Sequence, residues 1–591
     1  VSPLKRIFHK SKSLISRNGE GFGYIAFGIA IILFATKIIA LVKLQLLTSV
    51  YGIRSRDLDI FNLANTIPEF IFTIVVIGGV NASLIPVLTQ TSLNEDDDKL
   101  KRVFSSIVNT FFLTLLFICI LVFIFAPQII EPLTQMKIGG RETAVNPADY
   151  EEFIKLLRIL IFSPIILCVS SIFSSILQIK KRFFVTAFST LFYNFGIIAA
   201  TIVAAYTDKD IMILAYGVIL GSVLHFVVQL PAIFKSHILY TPFVLDIRDS
   251  YVSKAVKQTL PRIIGLTSDY IGNIFQTIIA WSISTGALTS FRLAISIREI
   301  PTVMFGIAIS TSVFPKLSEH AEQRNMREFQ TLFSQALRSI LFWTLPITAL
   351  LIVLRTPISR LLFGLFNPET SFSETRLISF SLLFLSLGIV FYSVLNLVNR
   401  AYYALNDSKT PTIISILVIF FELALTYGLV NLFSHFPEDL SVNPFTVIQN
   451  VDYFFSKGTS EAAIGGIGLA SSISIVVNLW FLGIFLKRKG VHLFHESSFI
   501  YKKIFSSFVM LVVGLVSFKV FEFFFITNKV IGLIFFTINV TLIMGATYYF
   551  MEKLLQDEDI NILDDPIRKF KKAFAAFKQI IKTDKVTNVG A

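Results

Sequence analysis

Two cysteines, seven histidines and three tryptophans are the full complement of those residues in 591 positions. Cys119 and Cys168 both fall in apolar runs, which argues against a disulfide framework or a CxxC site. The histidines are scattered and supply no metal cluster. His225, alone inside an apolar run, reads as a helix-packing or hydrogen-bonding group. Charge is also scarce: 15% of residues are charged, against about a quarter in a soluble globule. No Walker A, HExxH or GxSxG pattern occurs, and no GxGxxG stands between a strand and a helix. An ATP-driven pump is thereby disfavoured, and the chain is not read as an enzyme; no cofactor is expected.

What fills the chain is apolar. Hydrophobic residues make up 54%, and the mean hydropathy is +0.72. Crossing the hydrocarbon takes about 20 apolar residues in a helix. By that rule about 14 transmembrane helices are expected. The runs are long and continuous, not short and alternating, so a membrane β-barrel is excluded. The fold class is an all-α polytopic membrane protein.

The net charge of +13 is spread in a way that points to the membrane and not to nucleic acid. Basic residues cluster at Lys5, Arg6, Lys10, Lys12 and Arg17, at Lys180-Lys181-Arg182, at Lys254, Lys257 and Arg262, at Arg324 and Arg327, and at Lys487-Arg488-Lys489 with Lys502-Lys503. They occupy every second loop, and the intervening loops are neutral or acidic. This positive-inside pattern puts both termini in the cytoplasm. The first apolar run is too long for a signal peptide and lacks a small-x-small cleavage site, so it is expected to be retained.

Three pairs of segments repeat in the same order. ASLIPVLTQ matches TSVFPKLSE, with Pro86 and Pro315 as counterparts. KKRFFVTA at 180 matches DSKTPTII at 407, and GVILGSVLHFVVQL at 217 matches GIGLASSISIVVNL at 466. Each unit holds six spans, so the halves are parallel repeats, of the kind that encloses a central cavity. The expected organisation is a basic N-terminus (1–21), an N-terminal lobe (22–236), a cytoplasmic linker (237–254) and a C-terminal lobe (255–489). Two additional helices (490–552) and a basic amphipathic tail (553–591) follow, the tail suited to an anionic leaflet.

Ionisable groups inside the spans are few. TKIIALVKLQLLTSVYG at 36–52 carries Lys37 and Lys43, each costing roughly 2.5–3.5 kcal/mol at mid-bilayer. Glu69, Asp269, Arg292, Arg298, Glu299, Arg400 and Glu422 complete the set. Pairing for helix register alone would account for some of them. The first and eighth spans nevertheless carry four cations against one acid, a surplus that fits an anion, phosphate or pyrophosphate above all.

RAYYALNDSKTP (400–411), GIAISTSVFPKLS (306–318), LPRIIGL (260–266) and QIKKRFF…YNFGII (178–198) together resemble the MurJ/MviN lipid II flippases of the multidrug/oligosaccharidyl-lipid/polysaccharide exporter superfamily. The resemblance runs from about residue 30 to 550. It implies two six-helix lobes around a cationic cavity, two extra helices, and a lipid-linked peptidoglycan precursor as cargo. In the family's first-span pattern SRxxGxxRD, Lys37 and Lys43 stand at the two arginines and Leu44 at the aspartate. In PNxxR, Pro68 is kept and Phe72 replaces the arginine; Ile77 beside Gly78 replaces the glutamate of AEG. The arginine of YAxRLxxxP aligns with Ser296. Arg298 lies about 200° round the helix from it, whereas Arg292 is one turn away.

The candidate substrate-binding set is therefore Lys37, Lys43, Glu69, Arg292, Ser296 and Arg298. Some family members bind sodium among spans seven, eleven and twelve. The matching positions are Gln276, Glu422, Thr426, the Ile467 carbonyl and Ser471, and oxygen ligands suit a hard cation. A protonated Glu422 hydrogen-bonded within the bundle is the alternative there. Sodium or membrane-potential coupling follows as an expectation.

The leading functional reading is a lipid II flippase of the bacterial inner membrane, monomeric, with lipid-linked pyrophosphate and membrane lipids as partners and no nucleic acid. A transporter of another lipid-linked oligosaccharide, a small-molecule antiporter, or a non-transporting scaffold remain open as alternatives.

Overall fold

The computed structural model describes residues 20–74, 87–88, 90–91, 95–135, 147–179, 182–235, 240–364, 371–436, 460–493, 497–525 and 529–556. The basic N-terminus before Glu20, Pro86, Lys180-Lys181 and the amphipathic tail after Gln556 lie outside them. So do Ile77 and Gly78, and the side chain of Asp269.

Every regular element among the described residues is helical. The helices are α1 (Glu20–Tyr51), α2 (Arg56–Phe72), α3 (Asp97–Ile124), α4 (Ala126–Gln135), α5 (Pro147–Leu160), α6 (Phe162–Ile179), α7 (Phe183–Ala205), α8 (Met212–Val227) and α9 (Leu230–Lys235). They continue as α10 (Ser250–Ile283), α11 (Ala287–Pro301), a π-helical turn (Thr302–Ile307), α12 (Ala308–Glu322), α13 (Met326–Phe363), α14 (Ser371–Leu387), α15 (Ile389–Ala404), α16 (Lys409–Phe433), α17 (Ala463–Arg488), α18 (Ser497–Phe524) and α19 (Val530–Leu554).

Ten spans among the described residues are long and apolar enough to cross a membrane, and α14 with α15, bent by 44°, makes an eleventh. α1 and α10, of 32 and 34 residues, and α2 stand where three further spans are expected. The count is compatible with fourteen.

Helix starts follow local chemistry. Ser55, Asp96 and Asp249 sit at the N-caps of α2, α3 and α10, each accepting a bond from a first-turn amide. Breaks follow proline: the helix turns π-helical directly after Pro301, and α13 loses helical geometry at Leu354, three residues before Pro357.

The chain's contacts divide it into two units. One comprises residues 1–296, 362–381 and 419–467; the other comprises 297–361, 382–418 and 468–591. The first has a core around Phe104, Ile107, Leu115, Cys168, Ile172 and Leu177. Its helices α7 and α8 cross closely. A Cβ on Gly217 would lie 2.3 Å from the Ala200 Cβ, the small-residue packing common in membranes. Gly466, the repeat counterpart of Gly217, packs against the Leu429 carbonyl of α16 with the same lack of room, 2.7 Å. Matching glycines thus serve matching helix crossings in the two repeats.

His225 is buried beside that crossing. Its ring nitrogens lie 2.6 Å from the Ser170 hydroxyl and 3.1 Å from that of Ser189, and the Gln229 amide donates to Ser170 at 2.8 Å. It is a hydrogen-bonding group between helices, as its isolation in the sequence implies.

The second unit has one core around Phe333, Leu337, Leu397, Tyr402 and Leu482, where the Tyr402 hydroxyl donates to the Leu482 carbonyl at 2.7 Å. Another core, around Phe342, Met510, Phe536 and Met544, joins α18 and α19 to α13. Lys503 of α18 and Glu552 of α19 face each other there at 3.6 Å, both fully buried. The Lys503 ammonium also lies 4.8 Å from the centre of the Phe342 ring.

Candidate substrate-binding site

Three helices of the first unit bring the mid-membrane charges together. α1 contributes Lys37 and Lys43, both part-buried. α2 contributes Asn62, Thr66 and Glu69 on successive turns, because residues three or four apart share a face. α11 contributes Thr289 and Arg292. The Arg292 guanidinium donates to the Thr66 hydroxyl at 2.8 Å and reaches the Glu69 carboxylate at 3.4 Å. The Asn65 amide donates to the other Glu69 oxygen at 2.6 Å, and the Asn62 amide donates to the Thr289 hydroxyl at 3.0 Å. Lys43 lies within the electrostatic reach of Glu69, Arg292 and Lys37. Glu69 also acts on the Tyr193 hydroxyl of α7.

Among the described residues the cluster holds three cations, Lys37, Lys43 and Arg292, and one carboxylate, Glu69. Glu69 is 51% exposed and Arg292 26%, so their pair is wet, and such pairs contribute at most about 1 kcal/mol. Glu69 orients Arg292 without consuming it. A dianionic group with several acceptor oxygens meets ammonium and guanidinium donors from two helices here.

Not every expected residue joins. Ser296 is bonded to its own helix, donating to the Leu293 carbonyl at 2.6 Å. Arg298 falls in the second unit, where its guanidinium lies 4.5 Å from the centre of the Tyr392 ring. It is six residues from Arg292, about 240° round the helix, so the two point to different neighbours.

Of the expected cation set, Gln276, Glu422, Thr426 and Ile467 belong to the first unit and Ser471 to the second. The Gln276 amide donates to Glu422 at 2.7 Å. Thr426, one turn along α16, is fully buried, and among the described residues its hydroxyl oxygen has no hydrogen-bond partner.

A second constellation was not anticipated from the sequence. Asp59, fully buried in the first turn of α2, accepts from the Gly286 amide at 2.6 Å and from the Thr289 amide and hydroxyl at 2.8 and 2.7 Å. Its carboxylate therefore takes the Gly286 amide just before α11 and the Thr289 amide of its first turn, the latter one of the groups a helix start leaves open. Gly286 has φ +82°, and a Cβ there would meet the Arg54 Cα at 2.6 Å; only glycine fits this turn. Arg54 makes a two-pronged ion pair with Glu461, at 2.6 and 3.2 Å. Arg56 pairs with Asp149 at 3.1 Å and lies 3.7 Å from the centre of the Trp281 ring. RSRDLD reads as a solvated loop in the sequence, and the acid four residues into a serine-capped helix is the one signal of another role.

Ten or eleven helices long and apolar enough to cross a membrane among the described residues, with Lys37, Lys43, Glu69 and Arg292 brought together on α1, α2 and α11, are the marks of a polytopic membrane transporter. The fold is shared with a solved structure titled lipid II flippase MurJ, inward closed conformation (TM-score 0.68, 22% identity, 89% of this chain and 98% of that one). It is shared more loosely with an inward-facing multidrug resistance MATE family transporter of the MOP superfamily (TM-score 0.57, 13% identity, 78% and 98%). The family model for lipid II flippase MurJ matches residues 54–438. The probable lipid II flippase MurJ of Buchnera aphidicola subsp. Acyrthosiphon pisum is 24% identical over 89% of this chain and 96% of its own length. That of Borreliella burgdorferi is 24% identical over 71% and 79%. The chain belongs to the lipid II flippase MurJ family.

Proposed function

We propose that this multi-pass bacterial membrane protein carries lipid II, the pyrophosphate-linked peptidoglycan precursor, from the inner to the outer leaflet by alternating access, without chemical change to the cargo. The observation that carries the reading is the gathering of Lys37, Lys43 and Arg292 around Glu69, three cations to one carboxylate among the described residues of that cluster. In the resting site Arg292 leans on Glu69 and Thr66. An arriving pyrophosphate offers more oxygens and more charge than Glu69, so Arg292 transfers to it while Lys37 and Lys43 close from α1. Lysine at these two positions attracts as a point charge, without the two-pronged geometry of arginine. The site therefore grips the cargo less rigidly and releases it more readily.

Coupling to a sodium ion is supported by the buried, unpartnered Thr426 hydroxyl one turn from the Glu422 carboxylate. Gln276 and the Ile467 carbonyl would complete oxygen ligation on the same unit. The positive-inside pattern supports cytoplasmic termini in the inner membrane and accounts for the basic charge without a nucleic-acid partner, and the duplicated repeats support a monomer.

The test is rescue of a bacterium depleted of its own lipid II flippase. The parent chain should restore growth, and a Lys37→Ala/Lys43→Ala variant at equal membrane abundance should not. Failure of the parent at good abundance would redirect the reading to another polyprenyl-linked oligosaccharide.

A further inference from the structure

The second unit carries a groove of about 590 Å³ that the transport reading does not use. It runs along the exposed face of α17, with Phe391 of α15 and Leu493 also in its lining. Its size is within the usual range for a small-molecule site, roughly 300–1,000 Å³. Its lining is apolar over most of its length, through Val476, Trp480 and Ile484, each more than a third exposed on this membrane-spanning helix. At one end the lining turns basic, with Lys487 and His492.

That basic end is built. α17 stops at Arg488, and Gly490, at φ +83°, turns the chain back on the helix, with the Gly490 amide on the Lys487 carbonyl and the Val491 amide on that of Leu486. This is the glycine reversal common at helix ends. Val491 is fully buried by it. His492 is then clamped through its backbone: its amide donates to Gln330 at 2.7 Å and its carbonyl accepts from the same side chain at 2.9 Å.

The three adjacent cations are also sorted. Lys489 is paired with Asp407 at 2.9 Å, and the Arg488 guanidinium lies 5.0 Å from the centre of the Phe485 ring. Lys487 is the one of the three that lines the groove.

We propose that this groove is a binding site for an anionic diacyl phospholipid of the surrounding leaflet, with one acyl chain lying between Phe391 and Gly483 and the phosphate on Lys487 and His492. The charge complementarity argues for this occupant: an apolar slot open to the hydrocarbon ends in two basic side chains at the helix terminus, where a headgroup lies. A zwitterionic lipid would place its own cation against Lys487. The site shares no residue with the Lys37–Lys43–Arg292 cluster and does not rest on the identity of the cargo.

Gly483 supplies a selective variant. Among the described residues a Cβ there would meet the Leu493 Cδ2 alone, at 3.8 Å, so the backbone has room for a side chain at this position; a leucine adds bulk to the groove lining and favours the helix more than glycine does. The experiment is native mass spectrometry on the full chain in detergent, titrated with phosphatidylglycerol, with phosphatidylcholine and with water-soluble glycerol phosphate. Size-exclusion profiles check that each variant is intact. The parent should retain phosphatidylglycerol roughly fivefold more tightly than phosphatidylcholine, about the effect of one basic residue near an anionic headgroup, and should retain no glycerol phosphate. Lys487→Gln should remove the preference between the two lipids, and Gly483→Leu should reduce retention of both. Equal retention of the two lipids by the parent would overturn the proposal. So would unchanged phosphatidylglycerol binding in Gly483→Leu, which would show attraction to the basic surface only.

Discussion

Asp59 and Thr289 lie 230 residues apart and are joined twice, by the Thr289 amide at 2.8 Å and its hydroxyl at 2.7 Å, on the same carboxylate oxygen. The other oxygen holds the Gly286 amide. One buried acid at the start of α2 thus fixes the start of α11, the helix that carries Arg292. Asp59→Asn turns an NH₂ group toward amides that need an acceptor. It should lower stability by about 1.5–3 kcal/mol, the usual worth of hydrogen bonds to a charged group. Thermal unfolding in detergent measures this, and an unchanged midpoint would show that the turn holds without the carboxylate.

On the proposed mechanism, Glu69 and the cargo compete for Arg292. Glu69→Gln removes the only carboxylate among the four charges named in the cluster. Binding of a polyprenyl pyrophosphate should tighten several-fold in a direct binding assay, while turnover in the depletion strain falls because release slows. Weaker binding would instead give Glu69 a purely organising role.

Lys43→Arg and Lys43→Ala separate charge from shape. If Lys43 acts as a point charge, the arginine variant should bind the pyrophosphate at least as well as the parent, and the alanine variant should lose roughly tenfold or more. Equal loss in both would point to a packing role.

Much of this was legible in the sequence. Long apolar runs announce membrane helices because nothing else tolerates them, and a lysine inside such a run is conspicuous by its cost. Lys37, Lys43, Glu69 and Arg292 stand out for that reason, and the structure groups them. Asn62, Asn65 and Thr66 do not stand out, because a neutral polar residue on a helix face has no signature until its partner is known. Asp59 is hidden differently. It follows Arg54, Arg56 and Asp57, so it reads as part of a wet loop, and its partners lie more than 200 residues away. Arg298 shows the converse: a cation in the right span but on another face.

Asp407 provides a pH test outside the spans. Burial pushes its carboxyl up, but the Thr410 amide and hydroxyl and the Lys489 ammonium outweigh this and hold it at about 2, below the ordinary 3.8. A depressed acid contributes stability above its unfolded value and loses it as pH falls through the folded one. Asp407→Asn should therefore be less stable than the parent at pH 7, and the difference should shrink between about pH 4 and 2. A gap that persists at pH 2 would mean that the ionised form is not what matters.

Lys503 and Glu552 invite a double-mutant cycle. Lys503→Met or Glu552→Gln alone leaves a buried charge unmatched and should cost about 3–5 kcal/mol, whereas the double variant should return much of it. Additive losses would show that the two residues act independently.

The same pair bears on how the chain is made. Lys503 enters the membrane near the start of α18, and its counter-charge comes at the far end of α19, the last turn before Leu554. A ribosome delivers these residues in order, so during synthesis the lysine exists for a time with no glutamate. α18 is then a poor span to release singly into lipid, and the two helices are best handed over as a hairpin after Glu552 has emerged. A chain cut short between them would hold Lys503 without Glu552, about one turn inside its apolar span, and the packing of α18 on α13 would lack its buried polar pair.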